Sequence, residues 1–368
     1  MNHRTGLDLL PVRRLVRTAL RGALDRTRYV AVVRPEHAEG TVAAVYAQAE
    51  RDFGVLAPPI ALHAAAPDIL AAAWALLRET LLVPAGVDRA AKEAVANAVS
   101  EANACPYCVE VHGAMVRGLT SREGRPGGAG GAAGPDGRIG RWVRGSGGGH
   151  PAGPPGTPEE LPEYAGVAVT FHYLNRMVSV FLDDSPLPAA TPAAARGTVM
   201  RLVTGAMRPR DPAGPPPGAA LELLPAAPLP ADLAWAAGNP SIGGAFARAA
   251  AVIEAGGARA LPPDTRELVR ARLAVADSTD PGPSRAWAEA AVRTLPAADR
   301  PAARLALLTG LAAYQVVPDD ITAFRAAADP ADDRALIELT AWAALTAARH
   351  AGRRLTCSAT DEKTPRSP

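Results

Sequence analysis

The sequence predicts an all-α fold built as two related helical halves. Apolar residues recur at helical spacing along most of the chain, and no segment shows the strict alternation of a half-buried strand. Landmarks of the first half also return in the second at a nearly constant distance. At 368 residues the chain is long for one domain and suits two. Hydrophobic residues make up 48%, enough for a substantial core, and a net charge of +2 argues against a dedicated nucleic-acid binder with its basic surplus. Of the 39 basic residues only Lys92 and Lys363 are lysine. With abundant alanine, glycine and proline, this reads as the codon bias of a GC-rich genome, so alanine content alone is poor evidence for a helix.

Residues 1–27 read as an N-terminal extension. Its Arg13-Arg14 pair suggests a twin-arginine export signal, but Arg17 and Arg21 interrupt the apolar stretch such a signal needs. No run of about 20 apolar residues exists to span a membrane. The first domain is placed at 28–207. In it Val42, Val45, Tyr46 and Ala49 mark one helix face, and Ile69, Ala72, Ala73 and Leu76 mark a second, with Asp68 as cap or first-turn acid. A third helix runs from the candidate N-cap Asp88 to Asn103. Residues 120–162 are rich in glycine and proline and predict a flexible insert. A helix resumes over 163–182. A proline-rich linker, 208–232, leads to the second half, 233–355, and a polar tail, 356–368, reads as disordered. Pro240 and Ile242 follow Pro67 and Ile69 by 173 residues, and Asp264 follows Asp88 by 176.

One segment carries chemistry. Glu93, Cys105, Cys108 and His112 fall within twenty residues. Pro106 suits the first position of a new helix, which makes Cys105 its N-cap and puts Cys108 in its first turn. There the helix dipole and unpaired N–H groups favour a thiolate. His112 lies one turn after Cys108 on the same face, able to take the thiol proton. Glu93, on the preceding helix, is placed to orient His112 or exchange protons with it. Cys105 and Cys108 are close enough for a disulfide. Inert packing and a zinc site compete with this reading, but a structural zinc site draws ligands from two knuckles and no second Cys/His pair exists. A thioredoxin-type site would need a strand leading in, whereas a long helix does so here. Haem attachment would need His at position 109, which is Val. Two paired cysteines and one in the tail, Cys357, suit a cytoplasmic protein better than a secreted scaffold.

Glu93, Ser100, Asn103, Cys105, Tyr107, Cys108 and His112 follow the pattern E-x(6)-S-x-x-N-x-C-x-Y-C-x-x-x-H. This resembles the alkylhydroperoxidase D / carboxymuconolactone decarboxylase superfamily, closely over some thirty residues and loosely over 41–119, with a degenerate copy over 233–352. The resemblance implies a thiol-dependent peroxidase acting on organic hydroperoxides. Cys108 would be peroxidatic and Cys105 resolving, with His112 and Glu93 as proton relay. It also implies no bound cofactor or metal, an external lipoyl or dithiol protein reductant, and a homo-oligomer. Tyr107 stands where the well-studied peroxidase has a histidine. Tyr107, Ser100, Asn103 and His172 are candidate pocket residues, although a packed histidine is the simpler reading of His172. Arg176 is read as solvated or structural, with an anionic ligand as the alternative. His350 is explained by a helix C-terminus, and His63 and His150 by no constellation. In the second half Thr279 and Trp287 occupy the slots of Cys105 and His112, so that copy is expected to be structural. A carboxymuconolactone decarboxylase-like lyase and a non-catalytic redox sensor remain as alternatives.

Overall fold

The computed structural model describes residues 22–120, 137–145, 153–207, 211, 213–276, 281–328 and 332–357. These residues are helical throughout their ordered elements, with no strand among them. The helices that position the site are α1 (Gly40–Asp52), α2 (Pro67–Leu77), α3 (Arg89–Ala102), α4 (Pro106–Thr120), α5 (Arg138–Gly145), α6 (Leu161–Phe181) and α7 (Ala193–Ala206). The second half contributes α8 (Pro240–Ala260), α9 (Pro263–Val275), α10 (Arg300–Leu311), α11 (Pro318–Ala327) and α12 (Asp333–Cys357). No helix among the described residues is long and apolar enough to cross a membrane.

Local chemistry sets the helix ends. Asp88 caps α3 by accepting from the Ala91 N–H at 2.7 Å. Proline opens α2, α4 and α8, where its missing N–H costs nothing. The expected face of α1 is inward, with Val42, Val45, Tyr46 and Ala49 all buried. Helix α2 exceeds its expected face, since every residue from Ile69 to Leu77 is buried. It runs into one π-helical turn, Arg78–Leu82. Arg78, wholly buried, is satisfied there by Asp52 (2.7 Å), Glu79 and the Pro216 carbonyl (2.9 Å).

One apolar core spans both halves. Helix α2 packs on α8, and α6 on α12. These contacts are close because small residues allow them. A Cβ at Gly257 of α8 would meet the Trp342 ring of α12, and one at Gly352 of α12 would come within 2.5 Å of Val169 of α6.

Three expectations about loops change. Helix α5 lies inside the segment read as a flexible insert. Its Trp142 and Val143 are buried, and the Trp142 indole donates to the Leu355 carbonyl at 3.2 Å, so a few apolar residues anchor this piece amid glycine. Residues 121–136 and 146–152 of that stretch, with His150, lie outside the described residues, as do residues 1–21 of the extension, while the end of the stretch is described and enters α6 at Leu161. The proline-rich segment is tied to the core through Pro216 and through Gly218, whose N–H donates to Glu79 at 2.8 Å. Residues 356 and 357 complete α12, and the tail from 358 on lies outside the described residues.

Candidate active site

The site sits where α3 hands over to α4. Asn103 ends α3, and Ala104 turns the chain in the left-handed region at φ 49°. A non-glycine residue there costs about 1–2 kcal/mol. The Cys105 N–H donates to the Ser100 carbonyl (3.0 Å), and the Cys105 carbonyl accepts from the Val109 N–H (3.0 Å), the first bond of α4. Cys105 is therefore the N-cap and Cys108 stands in the first turn. The two are joined as a disulfide, with Cα atoms 5.4 Å apart. Both are buried.

Helix α3 is held against α6 by Lys92, whose ammonium is 2.7 Å from the Glu163 carboxylate and donates to the Val83 carbonyl at 3.0 Å. Glu163 also accepts from the Gly86 and Val87 N–H groups. The next residue, Glu93, is wholly buried and faces α4. One carboxylate oxygen accepts from the Nδ1 of His112 at 2.7 Å, and the other accepts from Arg89 at 2.9 and 2.7 Å. Burial favours the neutral acid, but Arg89 and His112 outweigh it and hold the Glu93 pKa down at about 2. An ionised Glu93 fixes His112 with its proton on Nδ1, leaving Nε2 to exchange protons. The edge-to-face contact of Phe171, centroids 4.5 Å apart, holds the imidazole in place.

Cys108, His112, Tyr107 and Phe171 line a small apolar cavity of about 50 Å³, closed by side chains such as Leu174, Val203 and Met207. Burial pushes the Tyr107 phenol pKa up, so it stays neutral. Four expected catalytic residues and Tyr107 thus come together. The other pocket candidates do not join them. Ser100 is buried and bonds back to the Ala96 carbonyl at 2.6 Å. Asn103 and His172, 3.1 Å apart, line a separate, larger cavity. His172 and Phe171 are neighbours in sequence, and the helix turn between them sends them to different cavities. Among the described residues no cluster of three or more His, Cys, Asp or Glu is arranged to hold a metal.

The sequence reading missed two contributors to the site and one buried pair that lines neither cavity. Arg89 sits one turn before Glu93, an i,i+4 pair that was legible. Lys92 carried a quieter signal, as one of two lysines in an arginine-rich chain. His63 accepts from the Tyr173 hydroxyl at 2.8 Å and donates from Nδ1 to the Ile60 carbonyl at 3.1 Å, a buried pair of distant residues. Burial lowers its pKa to about 4. The dipole explanation of His350 fails, because α12 continues to Cys357 and burial, with Arg353 and Arg354 nearby, lowers the His350 pKa to about 4, leaving it neutral. Trp287 is partly buried, and Thr279 lies outside the described residues.

The chain is 39% identical over 339 residues to the alkyl hydroperoxide reductase Rv2159c of Mycobacterium tuberculosis, covering 88% of this chain and 93% of that protein. It belongs to the family of that protein. No protein-family model and no solved structure matches the chain. The likeness extends over both halves, well beyond the thirty residues of the cysteine motif.

Proposed function

We propose that this protein is a thiol-dependent peroxidase of the alkylhydroperoxidase D type, reducing organic hydroperoxides through a Cys105/Cys108 dithiol–disulfide cycle. The observation that carries the reading is Cys108 beside His112 in an apolar cavity, with Cys105 within bonding reach. The relative named alkyl hydroperoxide reductase supports the same reaction class.

In the reduced protein the start of α4 favours the Cys108 thiolate, and His112 Nε2 takes its proton. The thiolate attacks the terminal oxygen of the hydroperoxide, and the O–O bond breaks. The departing alkoxide receives the proton from His112 and leaves as the alcohol. Cys108 is now a sulfenic acid. The Cys105 thiol attacks its sulfur, the S–O bond breaks, the departing hydroxide takes the thiol proton and leaves as water, and the disulfide forms. An external dithiol or lipoyl group then returns two electrons and two protons by thiol–disulfide exchange. Tyr107, neutral and apolar-facing, acts as cavity wall. With about 50 Å³ available, the cavity accepts the –OOH head, and the flexible Met207 side chain yields to the organic group.

The second half is proposed to be a degenerate copy that completes the core. Its α8 and α12 pack on α2 and α6, and the sequence offset pairs α8 with α2.

The test treats the reduced chain with one equivalent of cumene hydroperoxide, followed by mass spectrometry, and measures turnover with a dithiol donor. The expected result is a Cys105–Cys108 disulfide and loss of turnover in Cys108→Ser. Turnover by Cys108→Ser at the parent rate sinks the proposal. Activity surviving loss of both cysteines, without thiol or peroxide, would favour the lyase.

A further inference from the structure

Helix α6 lines two cavities with adjacent faces. Phe171, Leu174 and Val178 face the cysteine cavity, while His172, Arg176 and Ser179 face a larger one of about 320 Å³. Asn175 belongs to both. The larger cavity opens between the two halves. The first half supplies Asn103, Arg144, His172 and Arg176, and the second supplies Leu311, Tyr314, His350 and Arg354.

Its charge is one-sided. Three arginines line it beside two histidines that burial keeps neutral, and no carboxylate does so among the described residues. Arg176 donates to the Gly310 carbonyl at 2.8 Å and the His172 carbonyl at 2.6 Å, both neutral. Burial, then Arg354, lowers its pKa to about 10, so it stays charged at neutral pH. A cation desolvated among neutral partners is stabilised by an arriving anion. Unmet hydrogen-bonding capacity points the same way. Asn103 Nδ2 and Asn175 Nδ2 are buried without a partner, and Asn175 is wholly inaccessible. The two amides offer N–H donors, and the remaining wall is apolar, including Val143, Leu273, Leu311 and Ala347.

We propose that this cavity binds a small organic monocarboxylate, its carboxylate on Arg176 and the Asn103 and Asn175 amide N–H groups and its apolar body against Leu273 and Leu311. The volume is at the lower end for ligand sites and excludes a large metabolite. The site is separate from the peroxidase reading. It adjoins the redox centre only through Asn175 and the Asn103–Ala104 turn that leads into Cys105.

The test is calorimetric titration of the full chain with benzoate and octanoate, compared with neutral benzamide and with inorganic phosphate. The expected result is saturable binding of one carboxylate per chain, with no benzamide binding and phosphate at least tenfold weaker. Arg176→Gln should weaken carboxylate binding at least tenfold, about 1.4 kcal/mol. Arg144→Gln, at an exposed rim position, should weaken it less while leaving the melting temperature unchanged, which keeps the test decisive if an interior variant fails to fold. Equal binding of benzamide, equal binding of phosphate, or a parent-like affinity in both variants overturns the proposal.

Discussion

Glu93→Gln removes a buried charge while keeping the side chain's shape. The consequence can be worked from the structure, because the wholly buried Glu93 carboxylate accepts two bonds from Arg89 and one from His112. Holding its pKa at about 2, against an ordinary 4.5, corresponds to about 3 kcal/mol of folding stability. The sign follows from the depressed folded value. That stability is fully present above the unfolded pKa and is lost as pH falls through the folded one. Glutamine does not titrate, so the variant should be less stable by about 3 kcal/mol at pH 7, and the gap should narrow as pH falls from about 5 to about 2. Urea denaturation followed by circular dichroism at pH 7, 5 and 3, on oxidised protein in each case, measures it. Peroxide turnover at pH 7 should fall by roughly a hundredfold, because glutamine can present its amide to His112 and no longer dictates the tautomer. A stability gap below about 0.5 kcal/mol at pH 7, or one independent of pH, would refute the assignment of Glu93 as an ionised partner of Arg89 and His112.

Two further substitutions test how the site is held. Lys92→Met strands the buried Glu163 and should cost about 3–5 kcal/mol in urea denaturation, while the double variant Lys92→Met/Glu163→Gln should recover part of it; a single variant as stable as the parent would deny the Lys92 pair any role in holding α3 on α6. Gly257→Ala drives a methyl group into the buried Trp342 ring and should destabilise by about 1–3 kcal/mol, shifting the melting temperature with no change in the cysteine chemistry; an unchanged melting temperature would show that α8 and α12 separate easily.

The cysteine site was legible because its chemistry is local. Cys105, Pro106, Cys108 and His112 fall in the first two turns of one helix, and the spacing alone puts the two cysteines and His112 on one face. The caps at Asp88 and Cys105 and the helical class were legible for the same reason, since a helix repeats every 3.6 residues and records its contacts nearby in sequence. Sequence distance hid the rest. Phe171 against His112, Glu163 on Lys92, and Tyr173 on His63 join residues 59 or more positions apart, and no periodicity announces such partners. Trp142 was obscured differently, because its short helix stands among glycines whose composition speaks louder than two apolar side chains.

Sequence by itself determined the helical class, the redox-capable cluster and the residues that could carry protons there. These are properties of short stretches whose backbone hydrogen bonds close within a few residues. Only the tertiary structure decided that His172 leaves the cysteine cavity, that Arg176 and Arg354 meet across two halves, and that Glu93 is ionised in a dry interior. Those outcomes depend on which helix faces meet and how much water is excluded between them, and both are fixed only when distant segments pack.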